Sequence, residues 1–145
     1  MTDSDKTILL VDDDIEDIEL TVMALEEANM TTKIVVAHSG QGALDYLFGT
    51  GKYTGRDASL LPQVVLLDLK MPKMDGLDVL RRIRSNPQTR RLPVVILTTS
   101  DEESDMIASY DNHANSYIRK PVGFEEFASA VRQVGLYWQE LNENE

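Results

Sequence analysis

Apolar positions along this chain fall into two alternating patterns: short unbroken runs, and stripes at intervals of three and four. Ile8-Leu9-Leu10-Val11, Val64-Val65-Leu66-Leu67 and Val94-Val95-Ile96-Leu97 are continuous aliphatic blocks, with a shorter one at Ile34-Val35-Val36-Ala37. Blocks with no polar alternation suit strands covered on both faces, as in a parallel sheet. The pattern predicts strands over residues 6–11, 33–37, 62–68, 94–98 and 115–120, the third opening at Pro62 and the fourth preceded by Pro93. Between them lie helical stripes. Ile15, Ile18, Val22 and Leu25 form the first, with Asp14 as its cap, Asp17 in its first turn and Asn29 at its end. The second begins at Ser39 or Gly40 and carries Ala43, Leu44, Leu47 and Phe48. Asp75 caps the third, which turns Leu77, Val79, Leu80 and Ile83 inward and stops at Asn86-Pro87. A fourth spans about 102–112 with Met106, Ile107 and Tyr110 as its apolar positions. The last starts near Gly123 and repeats Phe124, Phe127, Val131, Val134, Trp138 and Leu141, a stripe longer than a sheet of this size needs to cover it. Strand and helix in strict alternation predict an open, doubly wound α/β domain.

One interval breaks the rhythm. Residues 49–61 are polar and glycine-rich, with Gly49, Gly51 and Gly55 beside Lys52, Arg56 and Asp57. They read as a long structureless insertion on the surface, with contact to a partner as the alternative role. The spacing of a phosphate-binding loop is absent, and no strand precedes the segment.

Composition narrows the function. The net charge of −11 opposes a nucleic-acid surface, which needs clustered lysine and arginine. The short basic stretch at Arg81, Arg82, Arg84, Arg90 and Arg91 reads as an ordinary solvated helix face and loop. With no cysteine, disulfides, thiolate chemistry and cysteine-held zinc are excluded. No apolar run approaches the roughly 20 residues of a membrane span, and the polar lead at residues 1–6 is unlike a secretory signal, so a soluble cytoplasmic protein is expected. His38 and His113 stand at unrelated positions and read as turn residues.

The chemistry concentrates at strand ends. The first strand runs into Asp12-Asp13-Asp14, the third into Asp68, the fourth into Thr98, and the fifth into Lys120-Pro121. In a parallel sheet these ends share one edge, where open α/β folds bind ligands. Carboxylates gathered there repel one another unless a cation joins them, and hard oxygen donors suit Mg²⁺. Asp13 and Asp68 are the natural direct ligands, Asp12 acts through water, and the Lys70 backbone carbonyl completes the set. Asp68, following the central aliphatic run, is placed to accept a phosphoryl group as an acyl phosphate.

Val11-Asp12-Asp13, Leu67-Asp68 with Met71-Pro72-x-Met74-Asp75-Gly76, Thr98-Thr99-Ser100 and Lys120-Pro121, in this order, resemble the receiver domains of two-component response regulators over essentially the full chain. The 49–61 insertion, Ala114-Asn115-Ser116-Tyr117-Ile118 and the long aromatic C-terminal helix are similar to the stand-alone receivers that serve phytochrome-type histidine kinases. The resemblance implies one receiver domain over residues 1–145, a flavodoxin-like (βα)5 sheet in the order 2-1-3-4-5, and phosphorylation of Asp68 by a histidine kinase with Mg²⁺. It assigns Asp12 and Asp13 to the metal and leaves Asp14 as cap. It implies that Lys120 pairs with Asp68 and then with the phosphoryl group, that Thr98 and Thr99 bind the phosphoryl oxygens, that Tyr117 switches with Thr98, and that the bond before Pro121 is cis. Such a domain is not an enzyme beyond its own phosphotransfer and autodephosphorylation. No output domain is expected after residue 145, so output comes through association. Two departures stand out: Lys70 at the mouth of the site, where it can pair with Asp101-Glu102-Glu103, and His113 where the family usually has glycine and a left-handed turn.

Two other classes share parts of the pattern. A haloacid-dehalogenase-type phosphohydrolase also places Asp after a hydrophobic strand but wants a second Asp two residues on, where Lys70 stands. A receiver-shaped adaptor that is never phosphorylated would not need Asp12, Asp13, Asp68, Thr98 and Lys120 together. The final stripe, with Leu136, Tyr137, Trp138 and Leu141 extending past the sheet, predicts a homodimer through the C-terminal helix.

Overall fold

The structure is a computed structural model and describes residues 7–27, 33–98, 103–119 and 129. Among them, five strands, β1 (Thr7–Val11), β2 (Lys33–Ala37), β3 (Val64–Leu67), β4 (Val94–Thr98) and β5 (Ser116–Arg119), alternate with four helices, α1 (Ile15–Glu27), α2 (Gly40–Phe48), α3 (Gly76–Ser85) and α4 (Glu103–Asp111). All neighbouring strands pair in parallel, and the sheet order is β2-β1-β3-β4-β5. The doubly wound order 2-1-3-4-5 is therefore the observed one. No helix among the described residues is long and apolar enough to cross a membrane.

The continuous aliphatic blocks are explained by burial on both faces. β1, β3 and β4 are buried at every position. Leu9, Val11, Val65, Leu67, Val94 and Ile96 pack with Ala43, Leu44 and Leu47 of α2 and Val79, Leu80 and Ile83 of α3. The alternate residues Ile8, Leu10, Val64, Leu66, Val95 and Leu97 pack with Ile18, Ala24 and Leu25 of α1. Each such side chain contributes roughly 1.5–3 kcal/mol on leaving water, which pins the register, since a one-residue slip would exchange the two faces.

Side-chain caps open three helices at the positions the sequence predicts. The Asp14 carboxylate accepts from the Glu16 and Asp17 amides at 2.9 and 3.3 Å, and that of Asp75 from the Asp78 amide at 3.0 Å. The Ser39 hydroxyl accepts from the Gly42 amide, and Gly49 closes α2 in the left-handed conformation that glycine adopts without penalty.

Several expectations need correction. Ile15 is 64% exposed, so the buried stripe of α1 begins only at Ile18. The third strand opens at Val64 rather than Pro62, because Pro62 has no amide to donate to the ladder. Met106, Ile107 and Tyr110 on α4 are 40–50% exposed, while Ser109 is fully buried on the inner side. The 49–61 segment is not structureless. It contains a short 3-10 turn at Gly51–Tyr53, the Thr50 hydroxyl and amide both bind Asp45, and the Arg56 guanidinium lies 3.9 Å from the centre of the Tyr46 ring. Tyr53 meets Tyr46 edge-on at 5.1 Å, and Arg56 donates to the Leu60 carbonyl. A cation on an aromatic face and an aspartate caging a threonine order a loop whose composition alone reads as loose.

The basic stretch is also more than a solvated face. Arg84 donates to the carbonyls of His113, Arg90 and Leu92 and to the Asn115 side-chain oxygen, at 2.6–3.2 Å. Partial burial lowers its pKa from the usual arginine value. The same Asn115 oxygen accepts from the Val94 amide, so one planar fork ties the end of α3, the start of β4 and the turn into β5. Asn29 and, apart from residue 129, the helix expected from Gly123 to Leu141 lie outside the described residues, as do Thr99, Lys120 and Pro121.

Candidate functional site

The strand ladder delivers the acids to one edge. The Asp12 amide donates to the Ala37 carbonyl at 3.1 Å and the Asp68 amide to the Val11 carbonyl at 2.9 Å, so both residues extend the sheet by one step. Because Val11 pairs with Leu67, Asp12 and Asp68 emerge side by side. Asp13 stands next to them, and one carboxylate oxygen from each of Asp12, Asp13 and Asp68 lies within 4.8 Å of the others. Asp12 and Asp68 are buried, at 2% and 7% exposure, whereas Asp13 is exposed. The Asp14 amide donates to the Asp12 carboxylate at 3.0 Å, leaving Asp14 itself to its capping role outside the cluster.

Three carboxylates this close, two of them out of water, raise one another's energy unless a cation shares them. Hard anionic oxygens converging at a sheet edge, with one ligand open to solvent, fit a divalent ion that keeps several waters. The donor set of the described residues therefore suits a metal site.

A backbone contact fixes the position of Asp68. The loop after β3 turns back so that the Gly76 amide donates to the Leu69 carbonyl at 2.8 Å. A Cβ on Gly76 would sit 2.1 Å from the Asp68 carbonyl oxygen and 2.8 Å from the Leu69 Cα. Helix α3 thus starts in direct backbone contact with the residue at the centre of the cluster, which only glycine permits. Its φ is not in the left-handed region; the requirement is space.

Of the remaining predicted site residues, Thr98, Tyr117 and Lys70 lie among the described ones. Thr98 ends β4 and is fully buried. Tyr117 in β5 is half-buried against the core beneath α2 and α3. Lys70 follows Asp68 by two residues, and its Nζ lies 3.0 Å from an Asp105 carboxylate oxygen. Asp105, within α4, is thus a partner of Lys70 among the described residues; Asp101 and Glu102 lie outside them. His113 adopts φ 64° at the end of α4, the left-handed turn expected there, and Lys73 adopts φ 70° in the loop after Asp68. Reading the sequence missed Asp105 and Arg84, since an acid on a polar helix and an arginine in a basic run carry no signal of their partners.

Comparison with known proteins agrees with this geometry. The response regulator receiver domain profile matches residues 8–132. The chain is 41% identical over 131 residues to the probable methanogenesis regulatory protein FilR2 of Methanothrix harundinacea, covering 90% of this chain and 82% of that protein. Its fold is similar to the phosphorylated cyanobacterial phytochrome response regulator RcpA, with a TM-score of 0.84 and 39% identity over 92% of this chain and 94% of the other. The Mn²⁺-bound form of response regulator Rcp1 is similar at a TM-score of 0.83 and 36% identity, with the same coverage. With its sheet order, its acidic cluster and these matches in accord, the chain belongs to the response regulator receiver domain family.

Proposed function

We propose that this protein is a signalling switch in which Asp68 accepts a phosphoryl group from a phytochrome-type histidine kinase, with Mg²⁺ held by Asp13, Asp68, Asp12 through water, and the Lys70 carbonyl. The observation that carries this reading is the convergence of Asp12, Asp13 and Asp68 at the strand-end edge. A bound divalent ion supplies neutralisation of the incoming phosphoryl oxygens. The residues do the rest. Asp68, whose amide donates a hydrogen bond to the Val11 carbonyl and whose backbone is in contact with Gly76, offers its carboxylate to the phosphoryl donor. As the O–P bond to Asp68 forms, the N–P bond to the kinase imidazole breaks and its electron pair returns to that nitrogen. Hydrolysis later restores the carboxylate and releases inorganic phosphate.

Lys120, Thr98 and Thr99 take the phosphoryl oxygens in this reading, and Tyr117 turns with Thr98 to report the change; the Lys120-Pro121 bond is cis. Residues 1–145 act as a single cytoplasmic domain. The similarity to RcpA, a cyanobacterial phytochrome response regulator, supports the choice of kinase class. Output passes through protein contacts, including a homodimer through the C-terminal helix. Sedimentation that finds the same monomeric mass for wild type and a Tyr137→Ala/Trp138→Ala variant would remove the dimer. The kinase assignment is tested with a phytochrome histidine kinase carrying labelled phosphohistidine. Label should pass to the wild type and not to Asp68→Asn; label retained on the kinase in both cases would refute the pairing.

A further inference from the structure

The Lys70–Asp105 ion pair joins the loop that carries the acceptor residue to α4. Leu69 and Met71 on either side of Lys70 are buried, so the main chain there is anchored while the lysine side chain reaches outward. The two partners differ in surroundings: the Lys70 side chain is 54% exposed and that of Asp105 only 13%. Asp105 is set within α4, and its carbonyl accepts from the hydroxyl of the fully buried Ser109 at 2.8 Å. The Asp105 main chain is therefore held and its carboxylate is the more buried partner, while the cation sits on a flexible stem with solvent room to swing. Helix α4 turns its larger apolar side chains, Met106, Ile107 and Tyr110, outward, so little hydrophobic contact from them holds it to the body.

We propose that Lys70 tethers α4 through Asp105, and that phosphorylation of Asp68 releases the tether; this rests on Asp68 being the acceptor. A phosphoryl group brings about 1.5–2 negative charges to a side chain two residues from Lys70, where Asp105 offers one. An ammonium is a compact point charge that exchanges partners without a fixed fork geometry, so it follows the larger charge. The pair is half in solvent and hence weak, which suits a contact meant to be broken. Losing it loosens the first turns of α4 and shifts the Met106–Ile107–Tyr110 face. Through this pair the charge state of the site is read at an apolar surface.

Hydrogen exchange of α4 in the full chain, with intact mass measured on the same samples, tests this. In the unphosphorylated state Asp105→Asn and Lys70→Gln should each exchange the α4 amides about two- to fivefold faster than wild type. Wild type should rise to that level after acetyl phosphate and Mg²⁺, and Asp105→Asn should change little further. A rise in Asp105→Asn without one in Lys70→Gln would point to a lost charge at the helix start and overturn the tether. So would a wild type that gains the phosphoryl group with its α4 exchange unchanged, and in that case the acceptor assignment survives. A wild type that gains no phosphoryl group takes both down.

Discussion

Replacing Gly76 by alanine adds one methyl group where the start of α3 meets the backbone of the acceptor residue. The new Cβ would lie 2.1 Å from the Asp68 carbonyl oxygen and 2.9 Å from its carbonyl carbon. Real Cβ atoms essentially never come under 3.0 Å, so the loop and helix must separate by about 1 Å. The neighbour is main chain in a buried strand end, which cannot rotate away as a side chain would. Alanine brings a helix-propensity gain of at most about 1 kcal/mol, and less at a first helical position. Overpacking against backbone costs about 1–3 kcal/mol and also strains the 2.8 Å bond from the Gly76 amide to Leu69. The net expectation is a loss of about 1–3 kcal/mol, read as a lower urea midpoint at unchanged slope. A shift of 1 Å at the acceptor also misaligns in-line attack, and phosphorylation by acetyl phosphate should slow by about 100-fold. A variant as stable as wild type and phosphorylated at the same rate would show that the loop yields freely and that Gly76 does not position Asp68.

Arg84→Ala should cost about 2–4 kcal/mol by urea unfolding, because it leaves three carbonyls and Asn115 without their charged donor, and Arg84→Lys should recover less than half of this. A loss under about 1 kcal/mol for Arg84→Ala would mean that water replaces the fork. His113→Gly should be neutral or stabilising by up to about 1 kcal/mol, since relief of the left-handed strain at φ 64° outweighs the added unfolded-state entropy; a clear loss of stability would show that the imidazole makes a compensating contact. Asp13→Asn should weaken Mg²⁺ binding at least tenfold by isothermal calorimetry, and an unchanged affinity would reject Asp13 as a direct ligand.

The fold was legible because burial on two faces leaves a plain mark on sequence. Ile8–Val11, Val64–Leu67 and Val94–Leu97 have no polar alternation because each strand lies under helices on both sides. The acidic site was legible for a related reason: a carboxylate that follows such a run at once, as Asp12 and Asp68 do, is carried to the sheet edge by the ladder. Asp14 separated from its neighbours because a cap has its own position before a helix. Other features depended on contacts between distant residues. Nothing local to Arg84 distinguishes it from Arg81, which pairs with Asp78 on the open helix face, yet Arg84 reaches 29 positions along the chain to His113. Asp105 is one acid among several until the lysine opposite is placed. The order in the 49–61 segment comes from Tyr46 and Asp45, which lie in the preceding helix, so the segment's own composition misleads. Ile15 has the spacing of a core residue but precedes the point where α1 meets the sheet.

Intact-mass spectrometry of wild type and Asp68→Asn after incubation with acetyl phosphate tests the switch most directly, run with Mg²⁺ and again with a chelator. Asn keeps the shape of the buried side chain, so a lost signal reports the carboxylate rather than the fold. Wild type should gain one phosphoryl group only with Mg²⁺ present, and Asp68→Asn should gain none. An equal gain in the variant, or a gain in the chelator that matches the one with Mg²⁺, would contradict an acidic, metal-assisted acceptor site at Asp68.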